Sequence, residues 1–563
     1  MEEATDLCVK YGGSFSGEHG DGQSKAEFLY KMFGQELIEA FREFKSIWDP
    51  DWKMNPGKIV DPYRIDQNLR LGADYHPWDP PTHFKYPQDY RSFAHAALRC
   101  VGIGKCRRKD SPSAEGDTMC PSFMVTHEER HTTRGRAHHL WEMLHGDVIT
   151  EGWRDENVKE ALDLCLACKG CKGDCPVNVD MATYKTEFLS HYWEGRTRPR
   201  HAYAFALIDQ WSRVASLWPG MANLVTQTPG LSHLAKLAAG MPLQRRIPEF
   251  APQTFRNWFK KRMSKNEHPR FSGAHSKVIL WPDTFNNYFF PETAQAATEI
   301  LEQAGFAVEV PQQHLCCGRP LYDYGMLDLA KVYLRRVMQA LRPQLLAEVP
   351  IVVLEPSCAS VFRDELPNLF PDDPLAQKLK QQALLLSEFL EQKAGNHRLP
   401  QLTRKALVQG HCHHKSVLRF DAEHSVLKKL GLDAEVLNSG CCGMAGSFGF
   451  ESDKYDVSIA IGERRLLPTV RRAADSTLIV ADGFSCREQI SQQTQREALH
   501  LAEVIQLAKR SDITNEERPE TKLIGRRKAT RRNARLRAAA SLTLIAGGAM
   551  FLAKAFARAV THI

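Results

Sequence analysis

The sequence offers no long hydrophobic stretch before its end. The one sizeable uncharged apolar run is Ala538–Ala553, sixteen residues, which excludes a polytopic membrane protein. At 1.5 Å per residue it spans about 24 Å, short of a roughly 30 Å hydrocarbon core. There is no N-terminal signal peptide pattern, so a secreted protein is not expected. A strong charge imbalance is also lacking, with 74 basic against 67 acidic residues. The excess of +7 is more than covered by ten Lys and Arg after Glu520, where no acid occurs. The rest is slightly acidic and offers no basic surface for nucleic acid. With 43% hydrophobic and 25% charged residues, the chain is neither disordered nor fibrous. Its 563 residues imply three or four domains at roughly 150 residues each.

What is present is cysteine, fifteen of them, in tight clusters. Clustering in a long chain without a signal peptide argues for metal chemistry in a reducing compartment rather than a disulfide framework. The cytoplasm is the expected location. The strongest motif is Cys165-x2-Cys168-x2-Cys171-x3-Cys175-Pro176. This is the bacterial ferredoxin run, in which three closely spaced thiolates face one iron–sulfur cube and the fourth ligates a second cluster. A structural zinc site would use two separated pairs instead. An altered partner run begins with Cys100 and Cys106, has Ile103 at the second position, and reaches Cys120-Pro121 after an insertion. The expected assignment joins Cys165, Cys168 and Cys171 to Cys120. Cys100, Cys106 and Cys175 remain for a second cluster with a non-cysteine ligand or only three irons. A single cluster is the other reading.

Residues 271–510 carry an internal duplication. Apolar runs Lys277–Leu280 and Lys405–Val408 are each followed by a helical stretch and a short strand, Ala307–Val310 and Ala434–Leu437. These lead to Cys316-Cys317-Gly318 and Cys441-Cys442-Gly443. Buried-type strands Ile351–Leu354 and Thr477–Val480 then precede Cys358 and Cys486. Alternating strands and helices predict two α/β lobes on parallel sheets, with the cysteines at the carboxyl ends of the strands. The second half offers four thiols, Cys412, Cys441, Cys442 and Cys486. The first offers Cys316, Cys317 and Cys358, with Thr284 where the duplication places a fourth. A further cluster and buried structural cysteines are both open readings. His314, His411, His413 and His414 are ligand or proton-carrier candidates, or plain core and surface histidines.

The Cys-Cys-Gly halves resemble the cysteine-rich CCG domain of heterodisulfide reductases. The same domain occurs in the iron–sulfur subunits of glycolate oxidase, anaerobic glycerol-3-phosphate dehydrogenase and lactate-utilisation systems. At the other end, Gly12-Gly13-Ser14-Phe15-Ser16-Gly17-Glu18-His19-Gly20-Asp21-Gly22 and Met54-Asn55-Pro56-Gly57-Lys58 resemble the C-terminal end of FAD-linked 2-hydroxy-acid oxidases. That family includes D-lactate, glycolate and D-2-hydroxyglutarate dehydrogenases. The resemblance implies that Glu18 helps hold a divalent metal such as zinc, that His19 takes the substrate hydroxyl proton, and that Asn55 lies near FAD. It also implies that the FAD-binding domain would precede Met1, so that the chain by itself is expected to bind FAD poorly.

The resulting expectation is a multidomain α/β plus all-α protein. Residues 1–72 are a C-terminal piece of an FAD-linked oxidase, too small to close a core, and 73–90 a Pro-rich linker. Residues 91–195 form an α-helical 4Fe-4S ferredoxin domain and 196–270 a helical connector. The two cysteine-rich lobes are 271–400 and 401–510, followed by a basic linker and apolar tail at 511–563. The tail reads either as membrane-associating, at the cytoplasmic face of the inner membrane, or as a solvent-exposed helix. The expected function is electron transfer from a flavin that oxidises a small D-2-hydroxy acid, through 4Fe-4S clusters, to a quinone, cytochrome or electron-transfer protein. Expected partners are thus a flavoprotein half or subunit and that acceptor. The rivals are a separate iron–sulfur subunit of another dehydrogenase or heterodisulfide-reductase-like complex, and a redox-sensing cluster protein.

Overall fold

The computed structural model describes residues 1–17, 19–67, 69, 71–72, 75–108, 118–265, 276–395, 397–510 and 517–560, with side chains of the last helix described as far as Ser541. The chain divides into two compact units, Met1–Trp78 and Asp79–Ile563.

The first unit has helices Glu2–Lys10, Gly22–Ala26 and Leu29–Trp48, then an irregular segment. Few of its side chains are buried, among them Ala26, Phe28, Leu29 and Val60. Gly57 is obligatory: its φ is +70°, and a Cβ there would enter the Tyr63 ring. The adjoining Lys58 ammonium donates to Gln23 Oε1 at 2.5 Å, which ties the Asn-Pro-Gly-Lys segment to the helix that follows the glycine-rich turn.

In the second unit two parallel sheets carry the duplicated halves. The first contains β1 (Lys277–Leu280), β2 (Ala307–Glu309), β3 (Ile351–Val353) and β4 (Ala383–Leu385), in the order β2-β1-β3-β4. The second contains β5 (Lys405–Val408), β6 (Asp433–Val436) and β7 (Leu478–Val480), in the order β6-β5-β7. Lys277 pairs with Ala307 and Lys405 with Asp433, so the register is repeated as well as the order. Strands buried on both faces read as continuous apolar runs; Val278, Ile279 and Leu280 are at most 1% exposed. Only β4 is absent from the sequence expectation. It is three residues long, and its apolar run continues into the helix Leu386–Gln392, where period cannot separate strand from helix.

One expectation is corrected. Residues 79–90 are a strap and not a free linker. Phe84 and Tyr86 are buried, and the His83 and Phe84 amides donate to the Glu187 carboxylate at 2.8 and 2.9 Å. The Tyr86 amide donates to Asn368 Oδ1 at 2.9 Å. Proline marks the irregular backbone, but buried aromatic side chains decide where it lies. The basic part of the tail is likewise engaged with the body. It belongs to the helix Pro519–Val560, where Ile524 is buried, Arg527 pairs with Glu503, and Arg535 lies 3.2 Å from Glu249. Arg527 and Arg535 are thus held by the body, while Arg526, Arg532 and Arg537 are exposed. The apolar run's side chains from Leu542 onward lie outside the described residues. Among the described residues, no helix is long and apolar enough to cross a membrane.

Candidate electron-transfer site

The ferredoxin-type loop is wedged between the two Cys-Cys-Gly turns. Ala167, at φ +49°, presents its carbonyl to both lobes. His413 Nε2 donates to it at 2.9 Å from the second lobe, and Arg319 Nη2 lies at 3.5 Å from the first. The next helical turn, Gly170–Asp174, lies against the π-turn His414–Leu418, and Gly173 is forced by contact: a Cβ would sit 2.7 Å from the Ser416 carbonyl. Lys169 is 1% exposed, with Asp180 at 3.4 Å, Glu365 at 3.2 Å and Asp364 in contact. Burial alone would lower its basicity, but the three carboxylates hold it well above the ordinary lysine range.

Around this wedge the cysteines gather. Cys165, Cys168 and Cys171 are buried, and Cys168 faces Cys165, Cys171 and, from the second lobe, Cys412. Cys168 and Cys412 share one small apolar cluster with Cys441, Leu166, Phe448 and Ile461. The second lobe brings together all four expected thiols, all free: Cys441 is hydrogen-bonded with Cys412 and Cys442, and Cys442 with Cys486. The hydrogen bond from Cys441 draws the Cys412 thiol down to about 6. Gly443 is fixed by φ +87° and by the Ser458 carbonyl, which a Cβ would strike. Its amide points at Cys441 Sγ, 3.5 Å away. Four buried sulfurs with a backbone N–H aimed at one of them suit an iron–sulfur cluster, whose thiolates such amides stabilise.

The first lobe repeats the plan with three thiols. Cys317 and Cys358 sulfurs are 2.9 Å apart, and the Gly318 amide points at Cys316 Sγ at 3.4 Å. Thr284 Oγ1 occupies the fourth place, 3.7 Å from Cys316 Sγ. A cavity of about 410 Å³ opens beside Cys316, lined also by Asp209, Arg213, His314, Tyr333 and Arg336. There His314 Nε2 meets Asp209 Oδ2 at 2.8 Å.

Of the altered partner run, the structure joins Cys106 directly to Cys120, whose hydrogen bond draws Cys106 down to about 6. Amides of Arg134 and Thr133 point at Cys106 and Cys120 at 3.3 and 3.0 Å. Thr133 also contacts Cys171, so it links Cys120 to the 165–171 group. Cys100 lies near Arg134, and Cys100 and Cys175 pack half-buried against the same core as Cys106 and Cys120. In the first unit, His19 and Asn55 are exposed, with Asn55 at φ +47°; Glu18 lies outside the described residues.

Of the histidines, His413 ties the second lobe to the ferredoxin-type loop, and His314 is hydrogen-bonded to Asp209. His411 packs on Gly483 and accepts from the His413 amide at 3.2 Å. Sequence reading missed Thr133, Asp209 and the carbonyl of Ala167. Only Lys169, a charge set inside a cysteine run, offered a signal.

Comparison with known families agrees with this layout. Residues 1–59 match the C-terminal domain of FAD linked oxidases, 95–179 a 4Fe-4S dicluster domain, and 284–363 with 419–491 the cysteine-rich CCG domain. Lactate utilization protein A of Bacillus velezensis is 33% identical over 181 residues, 31% of this chain and 74% of that protein. The chain belongs to the family of lactate utilization protein A. D-2-hydroxyglutarate dehydrogenase of Pseudomonas putida is 27% identical over 542 residues, 89% of this chain and 52% of that protein. A component of the anaerobic glycerol-3-phosphate dehydrogenase of Escherichia coli is 25% identical over 310 residues, 54% of this chain and 76% of that component. The chain therefore spans about half the length of the D-2-hydroxyglutarate dehydrogenase it matches. It is an iron–sulfur electron-transfer module related to these proteins, set in an FAD-linked context.

Proposed function

We propose that this CCG-family chain carries electrons from the flavin oxidation of a D-2-hydroxy acid, D-2-hydroxyglutarate or D-lactate, to an acceptor that binds at the cysteine-rich lobes. When bound, the flavin and the clusters supply hydride-accepting and one-electron chemistry. The chain's own residues bind, orient and shield. In the FAD-linked portion, Glu18 helps hold a divalent metal such as zinc, His19 takes the hydroxyl proton, and Asn55 lies beside FAD. Cys165, Cys168 and Cys171 hold one 4Fe-4S cluster with Cys120; the Thr133 bridge between Cys120 and Cys171 supports this partition. Cys100, Cys106 and Cys175 serve a second. Cys412, Cys441, Cys442 and Cys486 hold another in the second lobe, and Cys316, Cys317 and Cys358 form the weaker site of the first.

The observation that carries the reading is the loop 165–168 seated between both Cys-Cys-Gly turns, which places Cys168 in one buried apolar cluster with Cys412 and Cys441. The cavity beside Cys316, with Arg213, Arg336 and the His314–Asp209 pair, supports a small acceptor, such as a quinone, entering there. Thiol clusters of this kind need the reducing conditions of a cytoplasmic face. A second reading, a separate iron–sulfur polypeptide that serves another dehydrogenase, is favoured by the match to 76% of the glycerol-3-phosphate dehydrogenase component.

The test supplies the FAD-binding portion, fused or as a separate polypeptide, and follows dye reduction by each acid. Turnover with D-2-hydroxyglutarate or D-lactate is expected, and His19→Ala is expected to slow it about 10²–10⁴-fold, the usual contribution of a general base. Turnover with neither acid, but with glycerol 3-phosphate and its flavoprotein, would favour the second reading.

A further inference from the structure

We infer that the second lobe binds a divalent transition-metal ion, distinct from the iron–sulfur clusters, between His414, Glu423 and Asp482. One ring nitrogen and one oxygen from each carboxylate lie within 4.8 Å of one another. The three residues come from separate elements: His414 opens the π-turn His414–Leu418, Glu423 sits on the helix Asp421–Lys429, and Asp482 follows β7. Single π-turns are rare and gather at functional sites.

The independent observation is the imidazole itself. His414 is 0% exposed, yet neither ring nitrogen has a hydrogen-bond partner, and Glu423 Oε2, on a residue 2% exposed, also has none. The ring packs on Phe420, with centroids 4.5 Å apart. Leaving such groups buried and unpaired is costly. Asp482 Oδ1 accepts from the Leu501 amide at 2.9 Å and faces His500 Nε2 at 3.5 Å. Among the described residues no Lys or Arg forms an ion pair with Glu423 or Asp482. A buried and a half-buried carboxylate thus stand together without a lysine or arginine partner.

The duplication sharpens the point. Matching the halves on Cys412 with Thr284, and on Cys486 with Cys358, sets His414 against Asn286 and Asp482 against Leu354. In the first lobe Asn286 Oδ1 accepts from Arg487 Nη2 at 3.2 Å, and Arg487 Nη1 reaches Thr293 Oγ1 at 3.2 Å. A guanidinium from the second lobe thus completes the first. The residue that matches Arg487 is Ala359, which returns no charge. Where one lobe has an amide and an arginine, the other has one imidazole and two carboxylates, the donor set of a zinc-class ion. Metal–ligand bonds of about 2.0–2.2 Å require only a small inward movement of these side chains. A bound ion would tie the helix Asp421–Lys429 to the segments that carry Cys412 and Cys486.

The full chain, purified anaerobically and desalted after incubation with Zn²⁺, is assayed for zinc, manganese, iron and acid-labile sulfide. About one equivalent of zinc or manganese, or of iron in excess of sulfide, is expected in the wild type and in Cys8→Ser. It should be lost in His414→Gln and in Glu423→Gln, with sulfide unchanged. Chelation should lower the melting temperature of the wild type and not of the variants. Should His414→Gln fail to fold, the near-isosteric Glu423→Gln decides alone. No such ion in the wild type, or equal retention in Glu423→Gln, would overturn the inference and leave a hydrogen-bonded carboxyl–carboxylate pair beside a buried neutral histidine.

Discussion

Exchange of Lys169 for methionine is expected to destabilise the second unit by about 3–5 kcal/mol, the usual cost of removing one partner from a buried charge network. The ammonium is enclosed by Asp180, Asp364 and Glu365; without it, Lys172, which pairs with Asp180 at 2.8 Å and with Asp364, and Arg319 near Glu365 remain to answer them. Glu365 Oε2 already lacks a hydrogen-bond partner, so the variant leaves buried acid with still less compensation. Restoring balance with Asp364→Asn in the same chain should recover part of the loss, because the two positions share one network. Acid dependence gives a second readout. Burial alone would raise the Asp180 carboxyl, but Lys169 and Lys172 outweigh it and hold it well below the usual range. A depressed carboxylate contributes stability above its unfolded value, about 3.9, and that contribution is lost as pH falls toward the folded value. The wild type should therefore lose more stability between neutral pH and pH 3 than Lys169→Met does. Denaturant melts at a series of pH values check both points. A cost under about 1 kcal/mol at neutral pH would mean that the wedge between the lobes is not held by this network.

The second large effect is expected at Cys168. Replacement by serine should remove about four irons with their sulfide and the reduced-cluster EPR signal they carry. Cys8→Ser should leave both unchanged, because Cys8 belongs to the first unit and to none of the thiol groups described. Since Cys168 also faces Cys412, loss of its cluster should perturb the spectrum of the second-lobe site without emptying it. Cys412→Ser should do the reverse. Electron delivery to an acceptor should fall to background in either variant while dye reduction at a supplied flavin portion persists. Equal spectra for Cys168→Ser and the wild type would contradict the assignment of the 165–171 run.

Much of this arrangement was legible in the sequence wherever chemistry is local. Three thiolates at two-residue intervals can only face one small body, so Cys165, Cys168 and Cys171 were evident from spacing. The duplication located six of the seven described strands to within a residue: β1, β3, β5 and β7 are nearly continuous buried apolar runs, and the repeat placed the more exposed β2 and β6 beside them. Thr284 was located as the substitute for a fourth thiol by the repeat alone, and it lies beside Cys316. Long-range docking was not legible. Nothing in Ala167 announces that its carbonyl will be shared by His413 and Arg319, since any residue could present a carbonyl there. The strap 79–90 was obscured for a related reason: proline reports backbone irregularity, whereas Phe84 and Tyr86 report burial, and here burial decides. In the tail, the absence of acids after Glu520 concealed that Glu503 and Glu249, distant in sequence, are partners of its arginines.

The most direct test is iron and acid-labile sulfide content together with EPR of the anaerobically purified, dithionite-reduced chain. The account predicts brown protein with sulfide matching the cluster iron, at least one 4Fe-4S signal lost with Cys168, and a further signal lost with Cys412. Colourless protein that holds zinc and no sulfide at these cysteines would contradict it.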